Sequence, residues 1–143
     1  VFARYRTDPG TAPLQRHRTV IDHVFSGNDL AAMRDRAGEM AQFKGDDFVA
    51  MLYAALSTRC PMTMHVFLRL IDGGVDIPDM PAALAVDYRL AIRMSERTDF
   101  SDGVRAVLVD KTNDATWSPL RLEDVTPDML DAVFDHAGLP VLR

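Results

Sequence analysis

The chain has 143 residues but only one cysteine, four histidines and one tryptophan. A lone thiol, Cys60, excludes an internal disulfide and fits a reducing compartment; the cytoplasm is the expected location. The histidines, His17, His23, His65 and His136, are scattered, and none forms the four-residue pair with an adjoining glutamate that a helical zinc site uses. No metal is expected, and the plainer reading is solvated or hydrogen-bonded imidazoles. Basic charge is also short, since 16 Lys and Arg against 21 Asp and Glu leave a net charge of −5. That balance argues against a nucleic-acid partner, which calls for a basic face. No apolar run approaches the roughly 20 residues of a membrane helix, so no membrane partner is expected. The N-terminal stretch lacks the pattern of a signal peptide. Position 1 is Val1, and residues 2–6 read as mid-chain sequence, so a piece of a longer protein is expected.

Catalytic signatures are missing as well. The sequence has no GxGxxG, no GxxxxGK[ST] and no GxSxG. Cys60 precedes Pro61 at a helix start, where the helix dipole favours a thiolate. No histidine lies near it in sequence to act as base, so a small buried thiol is the better reading. The acid pairs Asp46-Asp47, Glu123-Asp124 and Asp131/Asp135 fall at helix starts and on polar faces. General acid–base work needs carboxylates in a pocket or at a defined separation, so these read as caps and solubilising charge. Arg4, Arg6, Arg16 and Arg18 make a basic N-terminal region that reads as a solvated face. The eight methionines read as filler in a helical core. No catalytic residue emerges from the residue chemistry.

What is present is helical periodicity. Hydrophobic residues make up 48% and charged residues 26%, a balance that supports one ordered domain. Residues 1–12 are polar, contain Pro9-Gly10 and read as a linker or tail; residues 13–143 read as a single helical domain. From Pro13 onward Leu14, Ile21, Val24 and Phe25 share a helical face. A second helix spans about 29–43, capped by Asn28, with Leu30, Met33, Ala37, Met40 and Ala41 on one side. The third carries Phe48, Met51, Leu52, Ala55 and Leu56. The fourth starts at Pro61, buries Met64, Phe67, Leu68 and Ile71, and stops at Gly73-Gly74. Asp79 or Asp76 caps the fifth, with Leu84, Tyr88, Ala91 and Ile92 on its inner face. The sixth is DFSDGVRAVLVDK, residues 99–111, in which Gly103 reads as a close-packing point, Arg105 as half of an ion pair and residues 107–109 as the only hint of strand-like alternation. Thr126-Pro127-Asp128 starts the last helix, which turns Leu130, Val133 and Phe134 inward and ends at Gly138. The fold class is all-α, with about seven helices and short loops.

The sixth segment with its flanks, TDFSDGVRAVLVDKTNDATWSPLRLEDVT, residues 98–126, closely resembles the C-terminal region of 3-hydroxyisobutyryl-CoA hydrolases. These form a branch of the crotonase (enoyl-CoA hydratase/isomerase) superfamily. Asp99, Phe100, Gly103, Val104, Arg105, Ala106, Leu108, Asp110, Lys111, Trp117 and Pro119 match its pattern. Upstream, Cys60-Pro61-Met62-Thr63 takes the place of the family's S-P-T-S, and Asp87-Tyr88-Arg89-Leu90 resembles its E-Y-R-L. Thr98, Asp102 and Ala115 depart from it. The resemblance implies the helical C-terminal domain of an acyl-CoA enzyme, without the ββα-spiral core that holds the oxyanion-hole amides and catalytic acids. Catalytic residues in this chain are then none, and the chain alone is inactive. Lys111 matches a lysine near the adenine or phosphate end of coenzyme A and is the one implied substrate-binding residue. The chain needs no cofactor; a coenzyme A thioester is the parent enzyme's substrate. The implied partners are the chain's own catalytic core and further copies in a homo-oligomer. Two alternatives stand beside this: the C-terminal domain of an enoyl-CoA hydratase or isomerase, and a free-standing helical interaction or assembly module.

Overall fold

The structure is a computed structural model that describes residues 7–8, 10–73, 76–135 and 137–139, with Lys44 by its backbone alone. Among the described residues there are seven α-helices and no strand, so the fold is all-α. No helix among them is long and apolar enough to cross a membrane. The chain divides into two compact units, one ending at Ser57 and the other starting at Thr58.

In the first unit a 3-10 turn, Pro13–His17, leads into α1, Arg18–Val24, followed by α2, Leu30–Lys44, and α3, which begins at Asp47 and runs to Thr58. The cap of α2 is Asp29, whose carboxylate accepts from the Ala32 N–H at 3.0 Å, one residue beyond the expected Asn28. Asp is as good a cap as Asn, and here it has the extended backbone a cap needs. Gly45, at φ +54°, closes α2 in the left-handed region. The Asp46 carboxylate accepts from the Phe48 N–H at 2.9 Å and starts α3. Leu30, Met33 and Ala37 are buried as the helical period requires, with Val24, Val49 and Leu56. Met51 and Leu14, expected inward, are exposed. The Arg36 guanidinium donates to the carbonyls of Val24 and Ser26 and so satisfies the open end of α1. Gly38 lets the Tyr53 ring approach, since a Cβ there would lie 3.0 Å from it.

The second unit holds α4, Pro61–Gly73; α5, Met80–Ser95; α6, Thr98–Val104; and α7, Pro127–Phe134. A π-helical turn, Arg105–Val109, continues α6 directly, and a 3-10 turn, Leu122–Asp124, precedes α7. Helix α7 packs on α4 and α5, α5 packs on α6, and the 3-10 turn packs on α4. The caps are those expected: Asp79 accepts from Ala82 N–H and Thr126 from Met129 N–H, with Pro127 in the first turn of α7. Cys60, Met62, Val66, Leu90 and Val133 form the core, with Leu70, Val86, Met94, Leu130 and Phe134 against it. Each such side chain contributes about 1.5–3 kcal/mol when fully buried.

Several expected faces are rotated. Helix α4 buries Met62 and Val66 with Leu70, while Phe67 and Ile71 are exposed. Helix α5 turns Val86, Leu90 and Met94 inward, and Leu84 is exposed. Both helices are apolar around much of their circumference, so neighbours rather than periodicity choose the buried face. Helix α7 stops at Phe134 because Asp135 is extended; Gly138, at φ +75°, lies beyond it. Gly73 is the last residue of α4 and is not left-handed, and Gly74 lies outside the described residues. Residues 107–109 are helical rather than strand-like.

Candidate functional site

Helix α6 and its π-helical extension present two chemically opposite faces. On one, Asp99 is 4% exposed. One carboxylate oxygen accepts from Arg97 Nε and Nη2 at 2.9 and 2.8 Å, and the other accepts from the Ser118 N–H at 2.6 Å. Arg97 also donates to the Ser118 carbonyl. Asp102 accepts from the Thr116 N–H at 2.6 Å. The carbonyl of buried Ala106 accepts from the Asn113 N–H at 2.9 Å. Residues 99, 102, 103 and 106 share one helical stripe, and the loop 112–118 is hydrogen-bonded along it. Gly103 belongs to that stripe because the Trp117 ring lies against it; a Cβ there would meet the ring at 3.4 Å. The Trp117 indole N–H donates to the Thr58 carbonyl at 2.9 Å, the partner a half-buried indole requires.

Arg105 gathers acids from both the helix and the loop. Its guanidinium pairs with Asp102 at 2.7 Å, Asp110 at 2.8 Å and Asp114 at 3.3 Å. These bonds, Asp102 first and Asp110 next, raise the Arg105 pKa further above its ordinary range. Asp102 is lowered, chiefly by the Arg105 hydrogen bond and then by the Thr116 N–H. Asp114 is lowered, chiefly by the Thr112 hydroxyl and then by the Arg105 charge. The π-helical turn is closed by the Asp110 N–H donating to the Arg105 carbonyl at 2.8 Å, which brings Asp110 back within reach of its own partner. The next residue, Lys111, is left-handed at φ +59°, and Asn113 is too at φ +56°. Left-handed backbone costs a lysine roughly 1–2 kcal/mol, so the surrounding bonds hold it there. The Lys111 side chain is exposed and forms no ion pair with a described residue.

The other face of α6 is apolar and open. Together with α4 and α5 it walls a groove of about 680 Å³ whose lining includes Phe67, Leu70, Leu90, Met94, Phe100 and Val107. Phe67 is 60% exposed and Leu108 67%, so the walls stand uncovered. Cys60 lines the groove as a buried free thiol, as expected for a core cysteine. No histidine lines it among the described residues. Two carboxylates do: Asp99, with both oxygens committed to structural bonds, and Asp87 on α5. The groove can bind apolar surface, and among the described residues no hydrogen bond joins Cys60 to a base. Lys111 is not among its lining residues.

The remaining residues singled out in the sequence are dispersed. His17 stacks on Phe48 with centroids 4.0 Å apart, and His65 Nε2 lies 3.1 Å from the Leu122 carbonyl. His23 is exposed, and His136 lies outside the described residues. Among the described residues no group of His, Cys, Asp and Glu is placed to hold a metal. Arg18 pairs with Asp22 in solvent; Arg4 and Arg6 lie outside the described residues. Sequence reasoning missed the anchoring roles of Asp99, Asp102 and Asp114. The available signal was the density of aspartates around one arginine, at 102, 110 and 114.

The sequence profile of the enoyl-CoA hydratase/isomerase family matches residues 1–134. The chain is 32% identical over 125 residues to the mitochondrial 3-hydroxyisobutyryl-CoA hydrolase of Xenopus tropicalis, a match covering 87% of this chain and 31% of that protein. It is 31% identical over 120 residues to the probable 3-hydroxyisobutyryl-CoA hydrolase 2 of Arabidopsis thaliana, covering 82% of this chain and 32% of the relative. The chain thus spans about a third of the length of the curated relatives it matches. Its fold matches an enoyl-CoA hydratase from Rhodobacter sphaeroides with a TM-score of 0.74 at 24% identity, over 93% of this chain and 38% of that one. An all-α chain with the GVRA…DK and W-x-P stripe, matched by the family profile over nearly its whole length, belongs to the enoyl-CoA hydratase/isomerase (crotonase) family and is 3-hydroxyisobutyryl-CoA hydrolase-like.

Proposed function

We propose that residues 13–143 are the helical C-terminal domain of an acyl-CoA thioester hydrolase of the 3-hydroxyisobutyryl-CoA type. The observation that carries the reading is the match to hydrolases of that name over more than four-fifths of this chain and under a third of theirs. Thioester hydrolysis needs donors aimed at the developing oxyanion and a carboxylate to move protons. The groove has two carboxylates, Asp87 and Asp99, of which Asp99 is committed to structural bonds; in this reading the catalytic groups belong to a core outside the 143 residues. The apolar faces of α4, α5 and α6 pack against that core, and Lys111 meets the anionic end of coenzyme A as an ammonium point charge. The cytoplasmic placement belongs to this proposal too; the free thiol fits a reducing compartment. The names of the animal relatives say mitochondrial.

The test has two arms. The full-length gene product, freshly purified, hydrolyses 3-hydroxyisobutyryl-CoA, and the 143-residue chain does not. Turnover by the pure chain at enzyme-like rates overturns the reading. A second reading, a free-standing assembly module, is favoured by the open groove alone. A natural product near 15.9 kDa would select it over the enzyme.

A further inference from the structure

We infer that Arg105 is a positioning residue for Lys111: by taking up Asp102, Asp110 and Asp114 it keeps these acids from capturing the Lys111 ammonium. The inference rests on the reading that Lys111 meets the anionic end of coenzyme A. Lys111 follows Asp110 directly and stands three residues before Asp114, in a loop whose Thr116 N–H is bonded to Asp102 of α6. A lysine among three carboxylates is poorly placed to attract a phosphate, because the nearest anions compete for it and repel the ligand. The structure removes the competition. All three carboxylates are bound to one guanidinium, at 2.7, 2.8 and 3.3 Å, and the Lys111 side chain is left exposed with no ion pair to a described residue.

The backbone contributes to the same arrangement. The π-helical turn at Arg105–Val109 and the left-handed Lys111 place Asp110 on Arg105 while the following residue leaves the helix. An ordinary α-turn closes i→i+4 at about 100° per residue and carries a fifth residue well past its starting point; the i→i+5 closure brings Asp110 back over Arg105. A planar five-donor guanidinium spans three carboxylates in one rigid fork, where an ammonium offers three donors from a single point. The arrangement therefore favours arginine at 105.

The experiment is a double-mutant cycle on the full-length gene product, with coenzyme A as the titrant at low salt and calorimetry or NMR shifts as the readout. K111M weakens coenzyme A binding about tenfold, the scale of one charge-assisted bond. R105M weakens it to a similar degree, because the freed acids recruit Lys111. In the K111M background R105M changes nothing further. Adding D110N and D114N to R105M restores binding, an outcome that a merely structural role for Arg105 does not produce. R105K gives partial rescue. If K111M weakens binding and R105M does not, the inference falls and the Lys111 contact stands. If R105M weakens binding and the neutralised triple variant stays weak, acid capture is wrong. If K111M binds like the unaltered chain, or the unaltered chain does not bind, the Lys111 contact falls and this inference with it, while the turnover test above still decides the enzyme reading.

Discussion

At the scale of single residues, Gly103 and Arg105 carry the most information. Gly103 has no special backbone angle; its value is space, with the Trp117 ring at 3.4 Å from where a Cβ would be. Alanine there meets the ring at the edge of ordinary contact while gaining up to about 1 kcal/mol of helix propensity, so G103A is expected to be near neutral. G103V forces the ring away and costs about 1–3 kcal/mol, measured as a lower urea midpoint by circular dichroism. An unchanged midpoint for G103V would mean that the ring does not pack there. Arg105 has a pH signature. Asp102 and Asp114 are held below their ordinary value of 3.8. Depressed carboxylates add stability that is fully present above that value and is lost as pH falls through the lowered ones. Because Asp114 is exposed and Asp102 partly so, the contribution is small. R105M therefore lowers stability at neutral pH, and its deficit shrinks as the pH drops below about 3.8. A deficit that is constant down to pH 2 would assign the loss to packing instead.

At the scale of elements, the sequence was most readable where local chemistry acts alone. Thr126-Pro127-Asp128 starts α7, Asp79 caps α5 and Pro61 opens α4, all as their side chains dictate. Which face of α4 and α5 turns inward was not readable. Each offers apolar residues on most sides, and the choice between Leu84 and Leu90 belongs to the partner helices. A pair of truncations measures that choice. L90A removes a residue 5% exposed and costs about 2–5 kcal/mol, whereas L84A, at 54% exposed, costs under about 1 kcal/mol. Equal costs would contradict the packing described for α5. The site shows the same division. Lys111, Gly103 and Trp117 stood out through the family pattern, and the Arg105 ion pair through an arginine in an apolar run. The Trp117 bond to Thr58 spans 59 residues and the Ser118 bond to Asp99 spans 19, separations that no local period encodes.

At the scale of the whole molecule, the open groove decides behaviour in solution. Phe67, Ile71, Phe100, Leu108 and Val109 are all more than half exposed, more apolar surface than a chain at rest in water leaves uncovered. The isolated chain is expected to self-associate, with a weight-average mass in sedimentation that rises with concentration above 15.9 kDa. A monomer across the whole range would show that the groove walls close without a partner. The single tryptophan has a separate consequence. It sits in the second unit, between Gly103 and the Thr58 carbonyl, so intrinsic indole emission reports on that unit and not on the one ending at Ser57. Should the two units melt separately, an emission trace would return one clean transition and conceal the other. Far-ultraviolet ellipticity counts every helix of either unit and would give both. The agreement or disagreement of those two curves is therefore a direct reading of whether 143 residues behave as one cooperative body or two.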